Sequence, residues 1–345
     1  MKKIRVAING LGRIGRAFLK IAWENDEIEI VAANDLGDKE NMAYLLKYDT
    51  VYGKWDHEVK IKGDNLSIDG KEVKILAQKD PSLLPWKDLN IDVVVECTGF
   101  FASYEKASVH LSAGAKRVVI SAPAHEGADA GAVKGATILV GVNEDEFGAC
   151  QVTSNGSCTT NAASPLIAIL DEALGIEKAI LNTAHGYTAS QALVDGPAKK
   201  DLREGRAAAQ NIVPSSTGAA IAVTRAFPKL AGFFDGISMR VPVVAGSMVD
   251  VTFISRKNTT KEEVNEILKK AASQERWKGI FSVTEEKLVS SDILGDSHAS
   301  IADLSLTRVV GGNLVKVLAW YDNEVGYTHT LIKHVLKTSR KGAFT

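Results

Sequence analysis

The 345-residue chain carries 41 Lys plus Arg against 42 Asp plus Glu, interspersed rather than gathered into runs. Its length favours two domains with real cores, and the charge balance argues against nucleic acid or an anionic membrane as partner and for a small polar ligand. Three cysteines, Cys97, Cys150 and Cys158, are odd in number and lack metal-ligand spacing, so neither a disulfide framework nor a metal site is suggested and the compartment is expected to be reducing. The basic start Met1-Lys2-Lys3 turns glycine-rich without the apolar stretch of a signal peptide, and no window approaches the ~18 apolar residues of a membrane span, so a cytoplasmic protein is expected.

In chain order, Ile4, Val6 and Ile8 read as a strand running into Gly10-Leu11-Gly12-Arg13-Ile14-Gly15, after which Ile14, Phe18, Ile21 and Ala22 recur at helical spacing. In this strand–turn–helix pattern Gly10 permits the tight turn, Gly12 lets the backbone approach a pyrophosphate, and Gly15 lets helix and strand pack. Amides at the helix start, at Arg13 and Ile14, face the phosphates. A second strand, 28–33, ends before Asp35, where an acid on the adenine ribose is expected. A carboxylate there repels a 2′-phosphate, which predicts NAD over NADP. Further strands at 91–97 and 117–120 end in Thr98-Gly99 and Ser121, at the edge where parallel sheets bind ligands, while Cys97 reads as a packing residue.

The octet Ser154-Asn155-Gly156-Ser157-Cys158-Thr159-Thr160-Asn161 then sets one thiol among hydroxyls and amides. Ala162, Leu166, Ile167 and Leu170 continue as one helical face. A helix beginning at Cys158 lowers a thiol pKa through its N-terminal dipole, although Pro165 offers an alternative start with Ser164 as its cap. The strand from 179 leads to His185, the natural base for a thiol, and whether dipole or imidazole does more for the thiolate stays open. Ser215-Ser216-Thr217-Gly218 before a helix suits a phosphate, and Arg240, inside an apolar strand, needs a ligand or a carboxylate. Segments 248–255, 289–294 and 314–321 read as strands and 261–273 as an amphipathic helix. The expected fold is α/β: an N-terminal Rossmann doubly wound parallel sheet, then a C-terminal α+β catalytic domain with a largely antiparallel sheet.

These residues resemble the phosphorylating glyceraldehyde-3-phosphate dehydrogenase family over nearly the whole chain. The motifs are Asn9 to Arg16, Ser157 to Asn161, Asp195-Gly196-Pro197, Arg206 to Ala220, and Trp320-Tyr321-Asp322-Asn323-Glu324. The resemblance implies a cytoplasmic homotetramer that uses NAD and inorganic phosphate to convert glyceraldehyde 3-phosphate to an acyl phosphate through a thioester. It assigns Cys158 as nucleophile and His185 as acid/base. Thr188 and Arg240 hold the substrate phosphate; Ser157, Thr217 and Gly218 hold inorganic phosphate beside Thr159; Asn323 holds the nicotinamide amide. It further implies a cofactor domain over 1–157, completed by 322–345 with a helix at about 324–339, and a catalytic domain over 158–321. Departures from the family pattern are Ala162 for a second cysteine, Gly156 for a common Ala, Gly186 where a side chain is usual, a long stretch at 124–136, a changed turn at 243–246 and Val325 for a frequent Trp. Alternatives are the same chemistry on erythrose 4-phosphate and a non-catalytic NAD-binding redox sensor.

Overall fold

The computed structural model of the protein describes residues 2–125, 133–198 and 201–340, so part of the 124–136 stretch lies outside the described residues. The chain divides into two compact units, Met1–Gly156 with Thr328–Thr345, and Ser157–Tyr327. Among the described residues no helix is long and apolar enough to cross a membrane.

The first unit is built on a sheet of nine described strands whose central member is Ile4–Asn9. Ile28–Asn34 and Lys71–Leu76 lie to one side of it and Val93–Glu96, Arg117–Ile120, Val152–Ser154 and Gly135–Thr137 to the other, all parallel. An antiparallel pair, Val59–Lys62 and Asn65–Ile68, closes one edge. Because the chain leaves the central strand in opposite directions for its two neighbours, the carboxyl end of Ile4–Asn9 is a topological switch point, where such sheets open a crevice. Near-continuous apolar runs suit strands covered on both faces: Ala7, Val94, Ile91 and Trp86 pack in one cluster, and Val118, Ile120, Tyr104 and Val152 in another.

Two glycines of the first turn are demanded by geometry. Gly10 has φ +98 and a Cβ there would lie 2.8 Å from the Thr98 nitrogen; a Cβ on Gly15 would lie 1.9 Å from the Gly10 oxygen. Gly12 has nothing within 4 Å of such a Cβ, so its lack of a side chain serves open space, not packing. The Arg13–Trp23 helix that follows has no side-chain cap and no acid in its first turn, which leaves its amides to an anion.

In the second unit the strand order is Val213–Ser216, Phe234–Val241, Ile176–Gly186, Ser247–Ser255, Leu314–Tyr321, Ser300–Asp303, Phe281–Thr284, with Arg308–Val310 also on Leu314–Tyr321. The sheet is largely antiparallel, with parallel pairs at 176–186/234–241 and 281–284/300–303. Burial alternates strictly along Ser247–Ser255, the period-two signature of one face on a core, and that core is the Cys158–Leu174 helix with Lys261–Ala272 against it.

One expectation is corrected here and one open alternative is decided. Segment 289–294 is not a strand: the Asp292 carboxylate accepts from the Val289 N–H at 2.7 Å and the Asp292 N–H returns to the Val289 carbonyl, so a side chain takes the donor a ladder would need. Nor does the helix start at Pro165. It runs unbroken over Cys158–Leu174 with Pro165 inside, because Ser157 and Thr160 form a reciprocal capping box and almost the whole helix is buried. Packing offsets the hydrogen bond that Pro165 forgoes.

Candidate active site and cofactor cavity

At the switch point of the first unit a cavity of about 540 Å³ opens against Gly10, Gly12, Asp35 and Thr98. Asp35 Oδ2 accepts from the Leu11 N–H at 2.7 Å and Oδ1 from the Gly37 N–H at 2.8 Å, which aims the carboxylate and leaves it lone pairs for a ribose hydroxyl. Phe100 and Leu36, 79% and 63% exposed, supply apolar walls that sequence reasoning overlooked. Gly99 takes φ +74 beside Thr98. Ser121 hydrogen-bonds the Cys97 thiol, whose pKa burial drives upward, so Cys97 is an inert lining group. The Arg13 side chain does not face the cavity but grips Asp49 at 2.6 Å. The glycine turn, uncapped amides and oriented acid fit a dinucleotide.

In the second unit, the strand pairing Ile176–Gly186 with Phe234–Val241 sets His185 opposite Arg240. The helix start brings Cys158 to the same place: its Sγ lies 3.3 Å from His185 Nε2. On the other side of the ring, Arg240 Nη1 lies 2.6 Å from Nδ1, and the Gly186 carbonyl oxygen also lies 2.6 Å from it. A guanidinium only donates and a carbonyl only accepts, so Nδ1 satisfies one of these neighbours in each tautomer: with the proton on Nδ1 it donates to Gly186, and with the proton on Nε2 it accepts from Arg240.

Burial pushes the half-buried Cys158 thiol above its ordinary value, against the Arg240 charge and hydrogen bonds from the Thr159 backbone and hydroxyl. The direction is opposite to the lowering that a helix start alone predicts, because desolvation outweighs those donors. Burial, joined by the Arg240 charge, pushes His185 down to about 3. Both shifts favour the neutral forms, thiol beside imidazole.

The Thr159 hydroxyl also meets Tyr321 Oη at 2.9 Å, and Tyr321 Oη meets Thr183 Oγ1 at 2.9 Å, which donates to the Met248 carbonyl. Tyr321 and Thr183 were missed from sequence. The signal was present, since a tyrosine ending a buried strand requires a partner for its hydroxyl. Asn323 Oδ1 accepts from the Gly246 N–H and the Ser247 hydroxyl, both at 3.0 Å, which turns its amide nitrogen outward from that pair.

Of the expected anion ligands, Arg240 belongs to this contact set and, among the described residues, the others do not hydrogen-bond to it. Ser157 Oγ accepts from the Thr160 N–H at 3.0 Å as the helix cap. Thr188 Oγ1 meets Ser190 Oγ at 3.1 Å, and Thr217 Oγ1 accepts from the Ala219 N–H at 3.1 Å. Gly218 precedes a helix, Ala219–Ala226, that has no side-chain cap. Among the described residues no hydrogen bond joins Thr188, Thr217 or Gly218 to Cys158, His185 or Arg240.

Residues 4–104 match the family model described as glyceraldehyde 3-phosphate dehydrogenase, NAD binding domain, and residues 157–323 match the C-terminal domain of the same family. A dinucleotide turn at a switch point, followed in the same chain by a thiol touching an imidazole, places the protein among the NAD-dependent dehydrogenases. It is 46% identical over 341 residues to glyceraldehyde-3-phosphate dehydrogenase of Geobacillus stearothermophilus, covering 98% of this chain and 99% of that one. It is 47% identical over 332 residues to glyceraldehyde-3-phosphate dehydrogenase 2 of Streptomyces avermitilis, covering 95% and 96%. The chain belongs to the glyceraldehyde-3-phosphate dehydrogenase family.

Proposed function

We propose that the protein oxidises and phosphorylates D-glyceraldehyde 3-phosphate to 1,3-bisphosphoglycerate, with Cys158 as nucleophile and His185 as acid/base. The observation that carries this is the 3.3 Å contact of Cys158 Sγ with His185 Nε2, with Arg240 on the far side of the ring. Substrate phosphate, taken by Arg240 and Thr188, neutralises the guanidinium that adds to burial in holding His185 down. With the ring proton on Nδ1, donated to the Gly186 carbonyl, Nε2 carries the lone pair and receives the thiol proton. The sulfur adds to the aldehyde carbon as His185 returns that proton to the carbonyl oxygen, giving a thiohemiacetal.

When bound, the dinucleotide supplies the hydride acceptor. As hydride leaves the carbon, His185 takes the hydroxyl proton and a thioester remains on Cys158. Inorganic phosphate, held by Ser157, Thr217 and Gly218 beside Thr159, attacks the acyl carbon. Its own proton goes to solvent, the C–S bond breaks, and the thiolate recovers its proton from His185.

Gly10, Gly12, Gly15, Asp35, Thr98, Gly99, Ser121 and the amides of Arg13 and Ile14 are assigned to NAD, and the Asn323 amide nitrogen to the nicotinamide carboxamide. The cofactor domain is assigned to 1–157 with 322–345 and the catalytic domain to 158–321. A cytoplasmic homotetramer is part of this reading, supported by Leu193, Val194 and Leu202, which are 78%, 73% and 84% exposed and gain from burial against another copy. The test is NADH formation from glyceraldehyde 3-phosphate with and without inorganic phosphate: production that rises with phosphate supports the reading, and indifference to phosphate overturns it.

A further inference from the structure

Beside the dinucleotide cavity the first unit buries a carboxylate that the mechanism does not use. Glu96 ends its strand 2% exposed, and among the described residues no Lys or Arg pairs with it. A buried carboxylate is costly unless hydrogen bonds replace its water. Here three strings of donors converge on it.

In the first string, the Gln78 backbone fixes Asn34: the Gln78 N–H donates to Asn34 Oδ1 at 2.8 Å and Asn34 Nδ2 donates to the Gln78 carbonyl at 3.0 Å. Asn34 Nδ2 also donates to Asn9 Oδ1 at 2.8 Å, so Asn9 turns its own Nδ2 onto Glu96 Oε2 at 2.6 Å. In the second, the Trp86 indole N–H, which cannot accept, donates to His110 Nδ1 at 3.1 Å. The His110 proton is thereby forced onto Nε2, 3.1 Å from Glu96 Oε2. In the third, the Thr98 N–H donates to Glu96 Oε1 at 2.7 Å, and the Thr98 hydroxyl donates to the same oxygen. That hydroxyl in turn accepts from the Phe100 N–H at 3.1 Å.

Each string ends in a donor whose direction is set by a group that cannot be reversed. Both oxygens of residue 96 must therefore accept, and an amide in either orientation would set a donor against a donor. Asn9, Asn34, Gln78, Thr98 and Phe100 all line the cavity, and Thr98 packs on Gly10 closely enough to exclude a Cβ there. We infer that Glu96 is a positioning residue for the cofactor: it preforms the cavity by holding Thr98, and through it the Gly10 turn and the Phe100 wall. This rests on the reading of that cavity as the NAD site.

The test is calorimetric titration of the purified full-length protein with NAD, alongside steady-state kinetics. Glu96→Gln raises the Kd and KM for NAD about ten- to hundredfold, while kcat at saturating NAD and KM for the aldehyde stay within about twofold. An unchanged Kd in Glu96→Gln, or a parallel loss in kcat and aldehyde affinity, overturns the inference. Should Glu96→Gln not fold, Thr98→Val, which removes a single donor of the network, raises the Kd for NAD several-fold, and an unchanged Kd overturns the inference equally. Asp35→Ala separates the two readings: weakened NAD binding in Asp35→Ala with normal binding in Glu96→Gln fails the inference alone, whereas normal binding in Asp35→Ala fails the assignment of the cavity.

Discussion

The two sites of this chain are finished to different degrees. Around the dinucleotide cavity, the side chains of Asn34, Asn9 and Glu96 and the backbone of Gln78 and Thr98 satisfy one another. In the second unit, buried Arg240 Nε, Gln191 Nε2 and Ser238 Oγ have no hydrogen-bond partner. A satisfied network holds its shape before the ligand arrives, whereas orphaned donors wait for a ligand to complete them. The difference teaches that the polar lining of the first cavity is complete without a ligand, whereas the thiol site keeps buried polar groups unsatisfied.

The sharpest way to break this contrast is Cys158→Ser, expected to reduce dehydrogenase turnover by ~10³-fold or more while NAD affinity, read by calorimetry, stays normal. Substantial remaining turnover would remove the thiol from the chemistry; lost NAD binding would show the sites are not independent. His185→Asn follows, with a fall in kcat of ~10²–10⁴-fold and slower alkylation of Cys158 at neutral pH. Unchanged kcat and alkylation would leave His185 a structural residue.

At the cofactor end, Asp35→Ala should lower kcat/KM for NAD and raise it for NADP, each about tenfold, because a fixed negative charge is removed from the ribose end. Equal preference before and after would sink Asp35 as the discriminator.

The smallest effect compares two histidines, one in each unit. His185 and His334 are both held near 3 by burial, His334 neutral between the Thr153 hydroxyl and the Asn155 side chain. An unfolded histidine titrates near 6.5, so between about pH 6.5 and 3 the unfolded chain binds more protons. Stability is thus present above that window and lost as pH falls through it. His334→Gln should flatten the acid decline of Tm in calorimetric scans without changing kcat at neutral pH. An unaltered slope would exclude His334 as a contributor.

What the sequence disclosed follows the same division. The glycine turn and Asp35 were legible because strand, turn, helix and acid lie within one short stretch, where spacing alone fixes geometry. Cys158, His185 and Arg240 were legible as types, but their contact depends on a strand register joining residues 55 positions apart, which no local pattern records. Pro165 left the helix start open because propensity weighs a lone proline against one helix, while burial of nearly the whole Cys158–Leu174 face decides the outcome. Glu96 was hidden in a hydrophobic run. Its clue was physical, not statistical: an acid at the end of Val93-Val94-Val95 is intolerable unless donors surround it.

Gly186 carries a last consequence. A Cβ built there would stand 3.2 Å from both the Val243 and Val244 carbonyl oxygens and 3.3 Å from Ala245 Cα, closer than side chains ordinarily approach backbone. The missing side chain after the histidine and the altered 243–246 turn, two separate departures from the family pattern, are in space a single one. A side chain restored at 186 therefore needs the 243–246 turn to give way with it, and that turn is the neighbour to exchange alongside.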